Sequence, residues 1–218
     1  GTPDALKTVF SIEQDTPSDL RAMANAADYI IITHADFTAA AAALRDFRAG
    51  HGIRAVMVEV QDVYDEFGYG IIDPAAIHDF LAYAYSNWES PAPSYVVLLG
   101  DGNFDPKNYL KFNGTSFIPP YLMDIDPWIG ETAADNRYVT ISGMDIMPDM
   151  SLGRLPVNSP AEADVMVQKI INYESSLPAG IWRQQILAVA DNPDTGGKYT
   201  LISDNLQSCC IPSSYTVQ

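Results

Sequence analysis

The sequence predicts a three-layer α/β fold around a mainly parallel sheet, with one complete unit and the start of another. Three observations carry that expectation. Continuous β-branched and aliphatic runs such as DYIIIT (28 to 33) and YVVLLGD (95 to 101) are of the kind that forms strands covered on both faces rather than one. Helical stretches of ten or more residues lie between them, as a crossover between parallel strands requires. A long irregular segment rich in Pro, Gly, Asp and aromatics follows a strand end, where open α/β sheets place their crevice.

Residues 1 to 27 read as a polar lead-in, with SDLRAMANAA as a short helix capped by Ser18. DYIIIT, residues 28 to 33, is the first buried strand, and His34 marks its end. The alanine-rich stretch that follows, with Leu44 and Phe47 on one side, is a crossover helix stopped by Gly50 and Gly52. RAVMVEV, residues 54 to 60, completes a βαβ unit. VYDEFGYG is aromatic and acidic, and the next helix opens with Asp73 as cap and Pro74 in its first position. Its buried stripe is Ile77, Phe80, Leu81 and Ala84.

YVVLLGD, residues 95 to 101, is a third buried strand ending in a glycine and a carboxylate. Gly102 to Asp149 is the irregular segment. MSLGRLPV, residues 150 to 157, resumes strand character, and a helix with Ser159 as cap and Glu162 in its first turn follows. QQILAVAD, residues 184 to 191, reads as a fresh buried strand and the stretch ending in Cys209 and Cys210 as another helix. The organisation is therefore a lead-in over 1 to 27, a first subdomain over 28 to 180, and the incomplete start of a second over 184 to 218.

Charge and composition exclude several functions. Lys and Arg total 12 against 28 Asp and Glu, a net charge of −16, so a phosphate backbone is repelled and nucleic acid is not an expected partner. No run reaches the ~18 to 20 apolar residues of a membrane helix. The opening GTPDALKTVF lacks the basic segment and apolar core of a signal peptide. LLGDGNFDP has no glycine-rich cradle opening a helix, which argues against a nucleotide or phosphate binder. Cys209 and Cys210 are adjacent, form no disulfide framework, and read as two small, half-buried residues.

Taken in order, ADYIIITHADF, FRAGHGIRAVMVEVQDVYDEF, AAIHDFLAYAYSNW, YVVLLGDGNFDP, ADNRYV and MSLGRLPV resemble the gingipain-type cysteine peptidases, peptidase family C25. The resemblance runs from about residue 28 to residue 194. It implies a caspase-like, flavodoxin-related fold of two side-by-side subdomains, the first supporting and the second catalytic. It also implies a secreted or cell-surface endopeptidase acting on protein or peptide, with a Cys/His pair beyond Gln218, so this chain alone is expected to be inactive and to work with the remainder of its own catalytic domain. The alternative is a non-catalytic member acting as a binding or secretion-associated module.

Two motifs are decoys on this comparison. Gly50-His51-Gly52 sits at a helix terminus, where His51 suits the negative end of the helix dipole. Cys209 and Cys210 precede the family's histidine, whereas its nucleophile follows it. The residue matching the family's orienting acid is Asp191, after Ala188-Val189-Ala190, although the family has Glu there; a loop-capping role is equally open. For the basic-residue specificity of the family, neither Asp194 nor Asp204 aligns well enough to be assigned.

The resemblance further implies a structural calcium ion held by Asp101, the Ala133 carbonyl, Asn136, the Tyr138 carbonyl and Asp149. Asp135 is a substitute ligand, because some relatives have Asp where Asn136 stands. Hard oxygen ligands of this kind suit calcium. They would meet if the strands before Asp101 and after Asp149 are neighbours, and a metal-free loop is the other reading.

Overall fold

The computed structural model describes residues 12, 14, 16–111, 114–176 and 179–218. Most of the first half of the expected lead-in lies outside them. The chain divides into two compact units, Gly1–Ile171 and Asn172–Gln218, a division that falls inside a helix and ahead of the sequence-based boundary.

The first unit is built on four parallel strands, β1 (Tyr29–Thr33), β2 (Ala55–Glu59), β3 (Tyr95–Leu99) and β6 (Ser151–Leu155), in the order β2-β1-β3-β6. Alternate residues of β1 serve opposite cores. Ile30 and Ile32 face α2 (Val60–Gly68) and α3 (Pro74–Asn87), whereas Tyr29 and Ile31 face α1 (Thr38–Gly50) and the first turns of α4 (Pro160–Ser175). This is the expected three-layer arrangement, and it explains why β1 has no polar face.

Local chemistry accounts for the helix boundaries. Asp73 accepts a hydrogen bond from the Ala75 amide at 2.9 Å with Pro74 at the first position, as expected. At α4 the Ser159 hydroxyl accepts from the Glu162 amide, and the Glu162 carboxylate accepts from the Asn158 amide. At the end of α1, His51 is the C-cap, Gly52 adopts φ +81°, and His51 Nδ1 lies 2.8 Å from the Phe47 carbonyl oxygen. The Gly-His-Gly triplet is a helix stop.

Three expectations change. Ser18 caps no helix: its hydroxyl donates to Glu66 Oε1 at 2.6 Å, the Leu20 amide donates to the same oxygen, and the Trp88 indole donates to the Leu20 carbonyl. The stretch from Ser18 to Ala27 is an irregular strap held by Glu66 on α2, because those bonds satisfy its backbone from outside. VYDEFGYG supplies most of α2, which starts directly from β2 and ends with Tyr69 at φ 55°. The irregular segment contains a hairpin, β4 (Leu122–Asp126) and β5 (Gly130–Ala133), and a 3-10 turn over Asp135–Val139.

The second unit holds the end of α4, a 3-10 turn over Ile181–Gln184, β7 (Gln185–Ile186), α5 (Tyr199–Cys210) and β8 (Thr216–Val217). β7 and β8 pair in parallel through two residues each, and the ladder is extended by the Ala188 amide donating to the Gln218 carbonyl. The expected buried strand over 184 to 191 is thus a short ladder with Leu187 74% and Val189 82% exposed. A two-stranded ladder has too few neighbours to bury such a run.

Candidate functional site: the two ends of the parallel sheet

Strand order reverses between β1 and β3, so the crevice-forming end of the sheet lies beyond Thr33 and Leu99. His34 stands there with its ring 5.1 Å from that of Phe117, and its Nδ1 accepts from the Asp36 amide. The sequence reading treated His34 only as a strand end. Beside it the chain turns sharply at Gly100, φ +149°. The Asp101 carboxylate accepts from the Gly102 amide at 2.9 Å and the Asn158 side-chain amide at 3.1 Å. The Asp101 carbonyl accepts from the amides of Phe117 and Ile118, which closes the excursion between them. A side chain at Gly102 would strike the Ile118 carbonyl oxygen, so the close approach there requires glycine.

Arg154 on β6 fastens this end together. Its Nε donates to Asp135 Oδ2 at 2.7 Å, one terminal nitrogen to the Gly100 and Ile118 carbonyls at 2.9 and 2.8 Å, and the other to the Pro119 carbonyl at 3.1 Å. Asp135 accepts the Tyr121 amide through its other oxygen, and the Tyr138 hydroxyl donates to the Pro119 carbonyl at 2.7 Å. Burial raises the Tyr138 hydroxyl pKa, with nearby Asp135 adding to the effect, so the group stays a neutral donor. Five donors in a planar fork suit Arg to this job, and Lys could not reach the same set of acceptors.

The other end of the sheet belongs to Asp149. Its Oδ2 accepts from the amides of Ile141 and Ser142, both at 2.7 Å, and these bonds, Ser142 first, hold its pKa below the usual carboxylate range. A cavity of about 650 Å³ lies nearby, lined by Asp135, Asn136, Asp149 and residues 150–154 among others.

The calcium expectation rests on Asp101, Ala133, Asn136, Tyr138 and Asp149, with Asp135 as substitute. β3 and β6 are neighbours, as the reading required, and they are parallel, with Tyr95 level with Ser151. Asp149 precedes β6 and Asp101 follows β3, so the two lie at opposite ends of the strand pair. Asp135 is bonded by Arg154, and among the described residues no three His, Cys, Asp or Glu side chains are grouped to hold a metal.

The sequence model of peptidase family C25 matches residues 22–218. The chain belongs to this family. Among solved structures, this C25 chain is similar to dimeric latent PorU from Porphyromonas gingivalis, with TM-score 0.60 and 25% identity over 73% of this chain and 17% of that one. It is also similar to the complex of the pro- and mature domains of Porphyromonas gingivalis RgpB, with TM-score 0.60 and 19% identity over 87% of this chain and 40% of that one. An uncharacterized protein of Archaeoglobus fulgidus is 24% identical over 163 residues, 69% of this chain and 36% of the relative. The C25 chain thus spans well under half the length of each of these.

Cysteine-peptidase chemistry needs a thiolate beside an imidazole. In this C25 chain Cys209 and Cys210 are joined to each other at the end of α5 and exposed, which corrects the expectation of two half-buried thiols. Each histidine has its own neighbours: His34 has Asp36, His51 the Phe47 carbonyl, and His78 both Asp79 and the Thr140 carbonyl. Asp191 is exposed in the second unit, where its Oδ1 accepts from the Asn192 amide at 2.7 Å. It borders an apolar hollow of about 310 Å³ with Val189, Tyr199, Ile202 and Leu206.

Proposed function

We propose that this chain is the supporting part of an exported cysteine endopeptidase that cleaves peptide bonds, its thiolate and imidazole being supplied by polypeptide outside these residues. The observation that carries the reading is the C25 match over residues 22–218 of a chain with its own four-stranded parallel sheet. Similarity to a complex of gingipain pro- and mature domains supports association of this unit with further domains of the same protein. No helix among the described residues is long and apolar enough to cross a membrane.

In this reading the first unit is a rigid platform, and Asp191 orients the imidazole through a carboxylate-to-N–H hydrogen bond. Cys209 and Cys210 take no part. The test is made on the full-length polypeptide with a fluorogenic peptide substrate. Cleavage should be abolished by iodoacetamide, persist in a Cys209→Ser/Cys210→Ser double variant, and fall about 100-fold or more in kcat in Asp191→Asn with KM little changed. Loss of activity in the folded double serine variant would overturn the assignment of the nucleophile. Full activity in Asp191→Asn would remove its orienting role, and absence of any thiol-dependent cleavage would favour a non-catalytic binding module.

A further inference from the structure

α5 ends in Cys209 and Cys210, and the bond between them joins sequence neighbours. A disulfide stabilises mainly by closing a loop of the unfolded chain, and the gain grows with the length of that loop. Neighbours enclose no loop. Their Cα atoms are held 3.8 Å apart by the peptide bond between them, short of the ~4.4 to 6.8 Å of ordinary bridges. The pair is therefore no staple. Exposed bridges outside the ordinary geometry belong to the labile, regulatory class, and within the second unit both cysteines are exposed.

The last turn of α5 offers the two redox states different contacts. It carries no basic side chain to meet its open carbonyls. The Ser208 hydroxyl donates to the Asn205 carbonyl at 2.9 Å, and Cys209 Sγ lies 3.9 Å from the Leu206 carbonyl oxygen. A thiol has an S–H to donate there; a disulfide sulfur has no hydrogen to give. A helix, moreover, does not turn neighbouring side chains toward each other, so the bond and the turn compete for the same two residues. Leu206, one turn earlier, walls the hollow that Asp191 borders, and what settles this turn acts on that wall.

We propose that Cys209 and Cys210 form a reversible redox switch for the end of α5. In the oxidised state the two sulfurs are bonded to each other and the Leu206 carbonyl has no thiol donor. A dithiol reductant opens the bond: its thiolate attacks one sulfur, the other leaves as a thiolate and takes up a proton, and the reductant's second thiol displaces the mixed disulfide. Two electrons pass to the protein, both cysteines end as thiols, and the reductant ends as a disulfide. Cys209 then donates to Leu206, and the last turn closes. The switch requires no catalytic group, so it stands apart from the peptidase reading.

The experiment takes the full-length polypeptide, purified without reductant, and compares it before and after treatment with a dithiol. Iodoacetamide labelling of the denatured chain, read by peptide mass spectrometry, should leave Cys209 and Cys210 unlabelled before treatment and label both after it. Hydrogen exchange over residues 205–210 should slow about threefold or more on reduction, as amides in a better-closed turn do. The Cys209→Ser/Cys210→Ser variant replaces the thiol donor with a hydroxyl, and it should exchange at the reduced rate with or without dithiol. The proposal is overturned if both cysteines are labelled without reductant, if either is bonded to a cysteine elsewhere, or if exchange over 205–210 is the same in both states.

Discussion

Two runs of this chain look alike on paper and differ in the fold. YIIIT in β1 and ILAVA after Gln185 are both short, continuous and apolar. Ile30, Ile31 and Ile32 are wholly buried, whereas Leu187 and Val189 are more than 70% exposed. β1 has a parallel neighbour on each side and helices over both faces; β7 has one neighbour of two residues. An apolar run therefore states a demand for cover, and the number of strands and helices around it decides whether the demand is met.

The largest effect expected from this contrast comes from truncating the two runs in parallel. Ile31→Ala should cost about 3 kcal/mol, because it opens a cavity between the sheet and α1, while Leu187→Ala should cost less than ~0.5 kcal/mol. Urea midpoints of the two variants make the comparison, and an equal loss at Leu187 would mean that the run is covered in the working protein. A somewhat smaller effect is expected at the joint between sheet and irregular segment. Arg154→Met takes the guanidinium donors from Asp135 Oδ2 and the Gly100 and Ile118 carbonyls, while the Pro119 carbonyl keeps the Tyr138 hydroxyl, and should destabilise by about 2–3 kcal/mol, with Arg154→Lys only partly rescuing. Thermal melts of both variants check this, and a wild-type Tm in Arg154→Met would show that the clamp contributes nothing.

The smallest and sharpest contrast lies between two buried tyrosines. Tyr138 donates to Pro119, whereas the buried Tyr64 hydroxyl has no hydrogen-bond partner among the described residues, and burial raises its pKa. Tyr138→Phe should lose about 1 kcal/mol, and Tyr64→Phe should be neutral or slightly stabilising, since it removes a desolvated hydroxyl. A loss at Tyr64 equal to that at Tyr138 would imply a partner for its hydroxyl.

Much of the first unit was legible in the sequence because local and tertiary demands agree there. The strands at β1, β2, β3 and β6, the Asp73 and Ser159 caps and the stripe from Ile77 to Ala84 all follow from pattern and capping chemistry. α2 was hidden because it begins with no turn after β2, and Gly68 at its end and Gly70 just beyond it look like loop punctuation. The β4–β5 hairpin was hidden by strands such as LMDID and GETA, which are acidic and only partly buried. The strap at Ser18 depends on Glu66, far away in sequence, and no local rule could supply that partner. Strand direction was hidden in the same way: a list of acidic residues does not say that β3 and β6 run parallel, which puts Asp101 and Asp149 at opposite ends of the pair.

The amides of Phe117 and Ile118 bond to the carbonyl of Asp101, so the segment from Gly102 to Ser116 leaves and returns at one point on the sheet. Lengthening such a loop adds only a logarithmic entropy cost, about 0.6 kcal/mol per doubling, while the residues at its neck stay fixed. That makes the excursion a natural port for grafting: a reporter or affinity module could be spliced near Gly114, and the scaffold beneath would carry it without rebuilding a single strand.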